Sequence, residues 1–208
     1  MSNRSLWTSC GVAGMVSVAC YLCAIFVPWP ESQMGTSLAL LCVSAWPVFS
    51  VVFAYGLYHY VAAERDGAAN RLAFIFCALA FTTVLSMIVV QLAVGAALPE
   101  ITPGLDDTTA RALRRGLRMI DLGMDVAWDM LIGSSLIFMG WAIRTRKGLG
   151  PVWGYTSVAL GAALILLNSA TFPWPPADRG LFDIGPFIGL FILLQAGRLY
   201  FLGRKAVA

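Results

Sequence analysis

Six apolar stretches dominate this chain, and each is long enough to cross a lipid bilayer. They fall near residues 8–28, 38–61, 71–97, 120–143, 152–173 and 183–203. At ~1.5 Å of rise per residue, about twenty helical residues cover a hydrocarbon core of ~30 Å. Inside such a core every backbone N–H and C=O needs an internal partner, and a helix supplies it. The expected fold is all-α. It is a polytopic membrane protein with about six transmembrane helices in one bundle, a single integral membrane domain over residues 1–208. Composition agrees: 59% of the residues are hydrophobic and 12% are charged, against about 25% charged in a soluble domain. The net charge of +3 is too small to suggest nucleic acid as a partner. It reads as the Lys/Arg bias of cytoplasmic loops.

Those loop cations set the expected orientation. With the N-terminus inside, the inner side carries Arg4, Arg65, Arg71, Arg144, Arg146, Lys147, Arg204 and Lys205. The outer side carries Arg179 and the group Arg111, Arg114, Arg115 and Arg118, which runs against the rule. The balance places both termini in the cytoplasm. Arg4 and the apolar run after it mimic a signal peptide, but the run continues through Val27, so an uncleaved first helix is expected. Pro28-Trp29-Pro30 and Pro173-Trp174-Pro175 end helices 1 and 5 on one side, followed at equal spacing by Gly35 and Gly180. This is compatible with a duplicated hairpin, 8–61 and 152–203, and equally with two independent interfacial Trp-Pro exits.

The five cysteines, Cys10, Cys20, Cys23, Cys42 and Cys77, fall mostly in apolar runs, where they act as small hydrophobes. Cys20 and Cys23 form a C-x-x-C pair, but a mid-helix apolar setting suits packing better than thiol chemistry. His59 is the single histidine, and no Cys/His cluster exists. That disfavours structural zinc and bis-His haem. No metal site is expected, and the sequence specifies no cofactor. P-loop, HExxH and GxSxG motifs are absent.

RRGLRMIDLGMDVAWDM, residues 114–130, is the exception to the apolar pattern. Asp106-Asp107-Thr108-Thr109 upstream has the acidic and hydroxyl residues of a helix start. No proline follows until Pro151, so an amphipathic interfacial helix precedes helix 4 or runs continuously into it. At 100° per residue, Arg111, Arg114, Arg115, Arg118, Asp121, Asp125 and Asp129 share an arc of roughly 120°. The stripe is basic at its outer end and acidic at its inner end. The arginines suit lipid headgroups, snorkelling to membrane phosphates, and Arg118 pairs with Asp121 at i,i+3. Asp125 and Asp129 lie deeper. An aspartate near mid-bilayer costs at least ~2.5–3.5 kcal/mol, so the stripe should face the bundle interior. One of the two is expected to carry a proton at neutral pH, since burial and a like neighbouring charge both disfavour ionisation. The competing reading is an internal ion-pair or hydrogen-bond network that only holds helices together.

With this topology, Gln91 in helix 3, Asn168 and Ser169 in helix 5, and Asp183 at the start of helix 6 reach the depth of Asp125 and Asp129. Trp128, Trp29, Trp174 and Phe172 are near it. The expected ligand-binding set is Asp121, Asp125, Asp129, Gln91, Asn168, Asp183 and Trp128, forming an outward-facing pocket with an aromatic rim. Elsewhere, Arg198 should snorkel to the inner surface. His59 suits the interface. Thr82, Thr83 and Ser86 should bond locally or across helices. Gly11 and Gly14, or Gly185 and Gly189, permit close helix contacts.

The tail NSATFPWPPADRGLFDIGPFIGLFILLQAGR, residues 168–198, resembles small multi-pass bacterial membrane proteins of uncharacterised function. The features that carry the resemblance are the Pro-rich loop, Gly180-Leu181, Asp183, Gly185-Pro186 and Arg198. It implies a bacterial inner-membrane address and no particular chemistry.

Three functions fit. The first is binding or transport of a small amphiphilic or cationic ligand, coupled to protons through the carboxylates; a full alternating-access path in six helices would call for a homodimer. The second is a membrane-embedded enzyme, with Asp129 as catalytic acid and Asp125 as its partner in cyclase- or isomerase-like chemistry. The third is an accessory subunit of a larger membrane complex. Converging polar groups put binding or transport first. Membrane lipid is a partner in every case.

Overall fold

A computed structural model describes residues 3–27, 33–64, 66–174, 176 and 179–205. Among them are six α-helices: α1 (Asn3–Phe26), α2 (Gln33–Ala62), α3 (Ala68–Ile101), α4 (Asp107–Ile143), α5 (Gly150–Thr171) and α6 (Gly185–Lys205). All six are long and apolar enough to cross a membrane. Large apolar side chains such as Leu41, Val152 and Leu166 point outward, as lipid-facing positions of a spanning bundle should. The helices alternate up and down and pack in the order α6–α1–α2–α3–α4–α5. Phe191 of α6 meets Trp153 of α5 with ring centroids 5.7 Å apart. Both termini therefore lie at one end, here called proximal. The α1–α2, α3–α4 and α5–α6 connections lie at the other, distal end. Pro28-Trp29-Pro30, Pro175 and Arg65, which enter the hairpin and orientation readings, lie outside the described residues.

Helix 4 is one continuous helix of 37 residues, not a surface helix joined to a spanning one. Its start is where the sequence puts it: the Asp106 side chain accepts from the backbone N–H groups of Thr108 and Thr109, both at 3.0 Å. The Thr109 hydroxyl, which donates to the same carboxylate at 2.6 Å, and these backbone bonds hold the exposed Asp106 carboxyl below its ordinary value. Helix 3 is also longer than expected and continues through Pro99 to Ile101. Nothing in α3 beyond Ile88 is buried, and in α4 only Ala110 is buried before Leu122. The distal parts of α3 and α4 thus form a paired arm beyond the common core.

In lipid, apolar burial gives helices little reason to associate; close backbone approach and interhelical hydrogen bonds do that work. Glycines make the approach between α4 and α5. A Cβ on Gly133 would lie 2.9 Å from the Gly161 carbonyl oxygen, and Gly140 faces Gly154 in the same way. Ser157 donates to the Leu136 carbonyl at 2.8 Å, and Ser135 donates to the Ala73 carbonyl of α3 at 2.8 Å. Gly11 and Gly14 bring α1 onto Tyr200 and Ala196 of α6, as expected. Gly185 and Gly189 do not make a helix contact: a Cβ on Gly189 would meet nothing within 4 Å. They border a cavity instead. Thr82, Thr83 and Ser86 donate to carbonyls four residues back in α3.

Candidate functional site

The acidic stripe of α4 passes from surface to core. Arg111, Arg114, Arg115 and Arg118 are exposed, Asp121 and Asp125 are half-buried, and Asp129 is buried. The inner two aspartates open onto a cavity of about 220 Å³ in the distal half of the bundle. Asp183, from the segment leading into α6, lines it too, and Trp128 forms part of its wall. The Asp183 carboxylate accepts from the Gly185 N–H at 2.8 Å, which fixes its position at the α6 start. No lysine or arginine is among the described residues lining the cavity. Three carboxylates therefore face one small space.

The rest of the wall is aromatic. Tyr21 of α1, Trp46 of α2, Phe81 of α3 and Trp128 of α4 line the cavity. Trp46 sits at their centre. Its ring centroid is 4.6 Å from Tyr21, 6.2 Å from Phe81 and 6.3 Å from Trp128. Pro47, next to it, is inside α2 and fully buried. A proline there withholds the N–H that would bond the Val43 carbonyl. The Trp46 carbonyl takes a second partner, the Ser17 hydroxyl of α1, at 3.1 Å. Ser50 lies 2.6 Å from Ser17. Since the Ser17 proton is used on Trp46, Ser50 is the donor in this pair. This chain of hydroxyls forms the polar floor of the cavity, alongside Asp129.

Asp129 is 8% exposed and Asn168 of α5 is 1% exposed. The Asn168 Nδ2 donates to Asp129 Oδ2 at 2.7 Å and to its own Leu164 carbonyl at 3.1 Å. Asn168 thus holds the carboxylate from behind, without lining the cavity. The Trp128 indole N–H is buried with no hydrogen-bond partner among the described residues.

The expected ligand set splits in two. Asp125, Asp129, Asp183 and Trp128 meet at the cavity, with Asn168 behind Asp129. Gln91 and Asp121 do not join them. Gln91 Nε2 donates to Asp121 Oδ1 at 2.5 Å in the distal α3–α4 arm. The wheel gives the reason: Asp121 lies at the edge of the stripe, ~80° from Asp129 at 100° per residue, and turns toward α3. This pair borders a surface groove of about 370 Å³ with Val90, Val94, Leu98, Leu117, Arg114 and Arg118. Ser169 and Phe172 are exposed, Trp174 carries Arg179 with its guanidinium carbon 5.6 Å from the ring centroid, and Trp29 lies outside the described residues.

Sequence reading missed Ser17, Tyr21, Trp46, Ser50 and Phe81. Each stands singly in an apolar run, so no local pattern marks it. The one usable signal was Trp46-Pro47, a buried helix irregularity beside a large ring. Arg198 also departs from expectation: instead of snorkelling free, its Nε donates to the Gly148 carbonyl at 2.8 Å. No group of three or more His, Cys, Asp or Glu among the described residues is placed to hold a metal. The chain matches no protein-family model, and no curated protein or solved structure is significantly similar to it.

Proposed function

We propose that this protein binds, and moves across the membrane, a small amphiphilic cation taken up at its distal face. The single observation that carries this is the convergence of Asp125, Asp129 and Asp183 on a cavity walled by Tyr21, Trp46, Phe81 and Trp128, with no cation lining it. Carboxylates unneutralised by the protein favour a positive guest, and aromatic faces attract the same charge. The cavity is smaller than the ~300–1,000 Å³ common for drug-sized ligands, which suits a compact ammonium group. Reprotonation of an aspartate as the cation leaves would couple its movement to protons. In the orientation favoured by the loop cations the distal face is outside and both termini are cytoplasmic, and the resemblance of residues 168–198 implies a bacterial inner membrane. Arg111, Arg114, Arg115 and Arg118 then contact outer headgroup phosphates.

The other two readings are less well supported. Acid catalysis on an apolar substrate wants a dry cavity, whereas three carboxylates and two serine hydroxyls make this one polar. A purely structural role, as a network holding helices together, accounts for Asp121 with Gln91 and Asp129 with Asn168, but it leaves Asp125 facing a cavity with no Lys or Arg among its described lining residues.

The test is binding of octylammonium, followed by tryptophan fluorescence, to the wild type, Asp125→Asn and Asp129→Asn. A charge-assisted hydrogen bond contributes about 1.5–3 kcal/mol, so Asp129→Asn should weaken binding by about tenfold or more. Equal binding by all three proteins would overturn the proposal.

A further inference from the structure

Proximal to the acidic cavity lies a second, smaller chamber of about 40 Å³. Ser50, Phe81 and Ile192 line both spaces, so the two adjoin. The chamber walls are largely apolar, from Phe53, Leu57, Ile132 and Met139, but three polar side chains reach it: Ser50, Ser135 and Gln195. Their hydrogen-bond capacity can be counted. The Ser50 proton is used on Ser17, and the Ser135 proton is used on the Ala73 carbonyl. Gln195 is different. It is 2% exposed, and its Nε2 is buried with no partner among the described residues. An amide donor left unmet in such a place bears its desolvation cost uncompensated. Its retention beside a space adjoining the candidate site is explained if something bound there accepts from it.

We infer that the chamber is a second subsite for the same ligand, which carries an apolar arm past Phe81 and Ile192 and ends in an oxygen acceptor for Gln195 Nε2. This rests on the cation reading of the acidic cavity. The ligand class narrows accordingly, from any small cation to an ammonium compound with an ether, carbonyl or hydroxyl oxygen at the far end of a short apolar chain. The span follows from α4. Asp129 lines the cavity and Ser135 lines the chamber, six residues or ~9 Å apart along the helix.

The experiment compares ω-methoxyalkylammonium probes with plain alkylammonium probes of matched length, across a series of lengths. Binding is measured on the wild type, Gln195→Leu and Gln195→Met. A net hydrogen bond contributes about 0.5–1.5 kcal/mol. In the wild type the methoxy probe should therefore bind about three- to tenfold tighter than its alkyl match. That advantage should peak where the oxygen lies ~9 Å from the nitrogen. In both variants it should vanish, so that methoxy and alkyl probes of each length bind alike. The length dependence in the wild type needs no variant, so it stands even if a variant folds poorly. If alkylammonium binds but the methoxy group confers no advantage at any length, the subsite proposal fails and the cation reading survives. An advantage that persists in folded Gln195→Leu also overturns it. If no probe binds the wild type, both fall.

Discussion

Asp129 has a neighbour on every side: Asn168 behind it, Asp125 one turn away and the aromatic wall in front. The Asn168 bond is the local feature that makes a buried carboxylate tolerable, because a buried acceptor without a donor bears its full desolvation cost. Asn168→Leu keeps the approximate volume and removes the donor. It should destabilise the detergent-solubilised protein by about 1–3 kcal/mol. Asp129→Asn with Asn168 intact, which leaves no charge to stabilise, should cost less. Thermal unfolding of the two variants side by side checks this ordering. At this scale the sequence was informative where charge was out of place. Asp125, Asp129 and Asp183 announced themselves as acids in apolar surroundings. Ser17, Tyr21, Trp46, Ser50 and Phe81 did not, because a lone serine or ring in a spanning helix has the same local signature whether it faces lipid, a neighbour or a cavity.

At the scale of elements, hydropathy located all six helices but not their ends. The apolar span of helix 4 starts only at 120, and it is the capping residues Asp106–Thr109 that mark its start at Asp107; helix 3, expected to end at 97, runs to Ile101. The missing turns belong to the distal arm, where arginines, aspartates and Pro99 interrupt the apolar pattern without breaking the helix. Glycine spacing misled in a related way. Gly185 and Gly189 have the four-residue spacing of a contact seam but border the cavity, whereas Gly133 and Gly140, seven apart, press α4 onto Gly161 and Gly154 of α5. The spacing says which glycines share a face, and only the partner helix says what that face meets. An added methyl should report the difference. Gly133→Ala must displace the Ile165 side chain, 2.8 Å from the new Cβ, and overpacking of this kind costs about 1–3 kcal/mol. Gly189→Ala, with nothing within 4 Å, should leave thermal stability near that of the wild type. Equal losses in the two variants would contradict the assignment of the seam.

The whole molecule is polarised along its axis. The acidic cavity lies in the distal half, the Gln195 chamber lies below it, and at the proximal end one turn is fastened to the bundle. It is the α4–α5 turn. The Tyr60 hydroxyl donates to the Lys147 carbonyl, Arg198 donates to the Gly148 carbonyl, and Leu149 is buried in the core. Gly148 has φ 89°, in the left-handed region that glycine enters without strain. The turn between α4 and α5 is thus held by its carbonyls from α2 and α6. The polarity is partly legible in the sequence, since within the apolar spans 120–143 and 183–203 the deep aspartates all fall toward one end. The fastened turn is not, because carbonyl acceptors in a turn leave no mark on a sequence. The claim that joins these levels is that a cation sits between the aspartates and the aromatic wall. Its most direct test is to crystallise the protein with ω-bromo-octylammonium and locate the bromine by anomalous scattering. The ammonium is expected at Asp125 and Asp129 and the bromine toward Phe81 and Ile192. A bromine in the α3–α4 surface groove, with no ligand density at the aspartates, would contradict it.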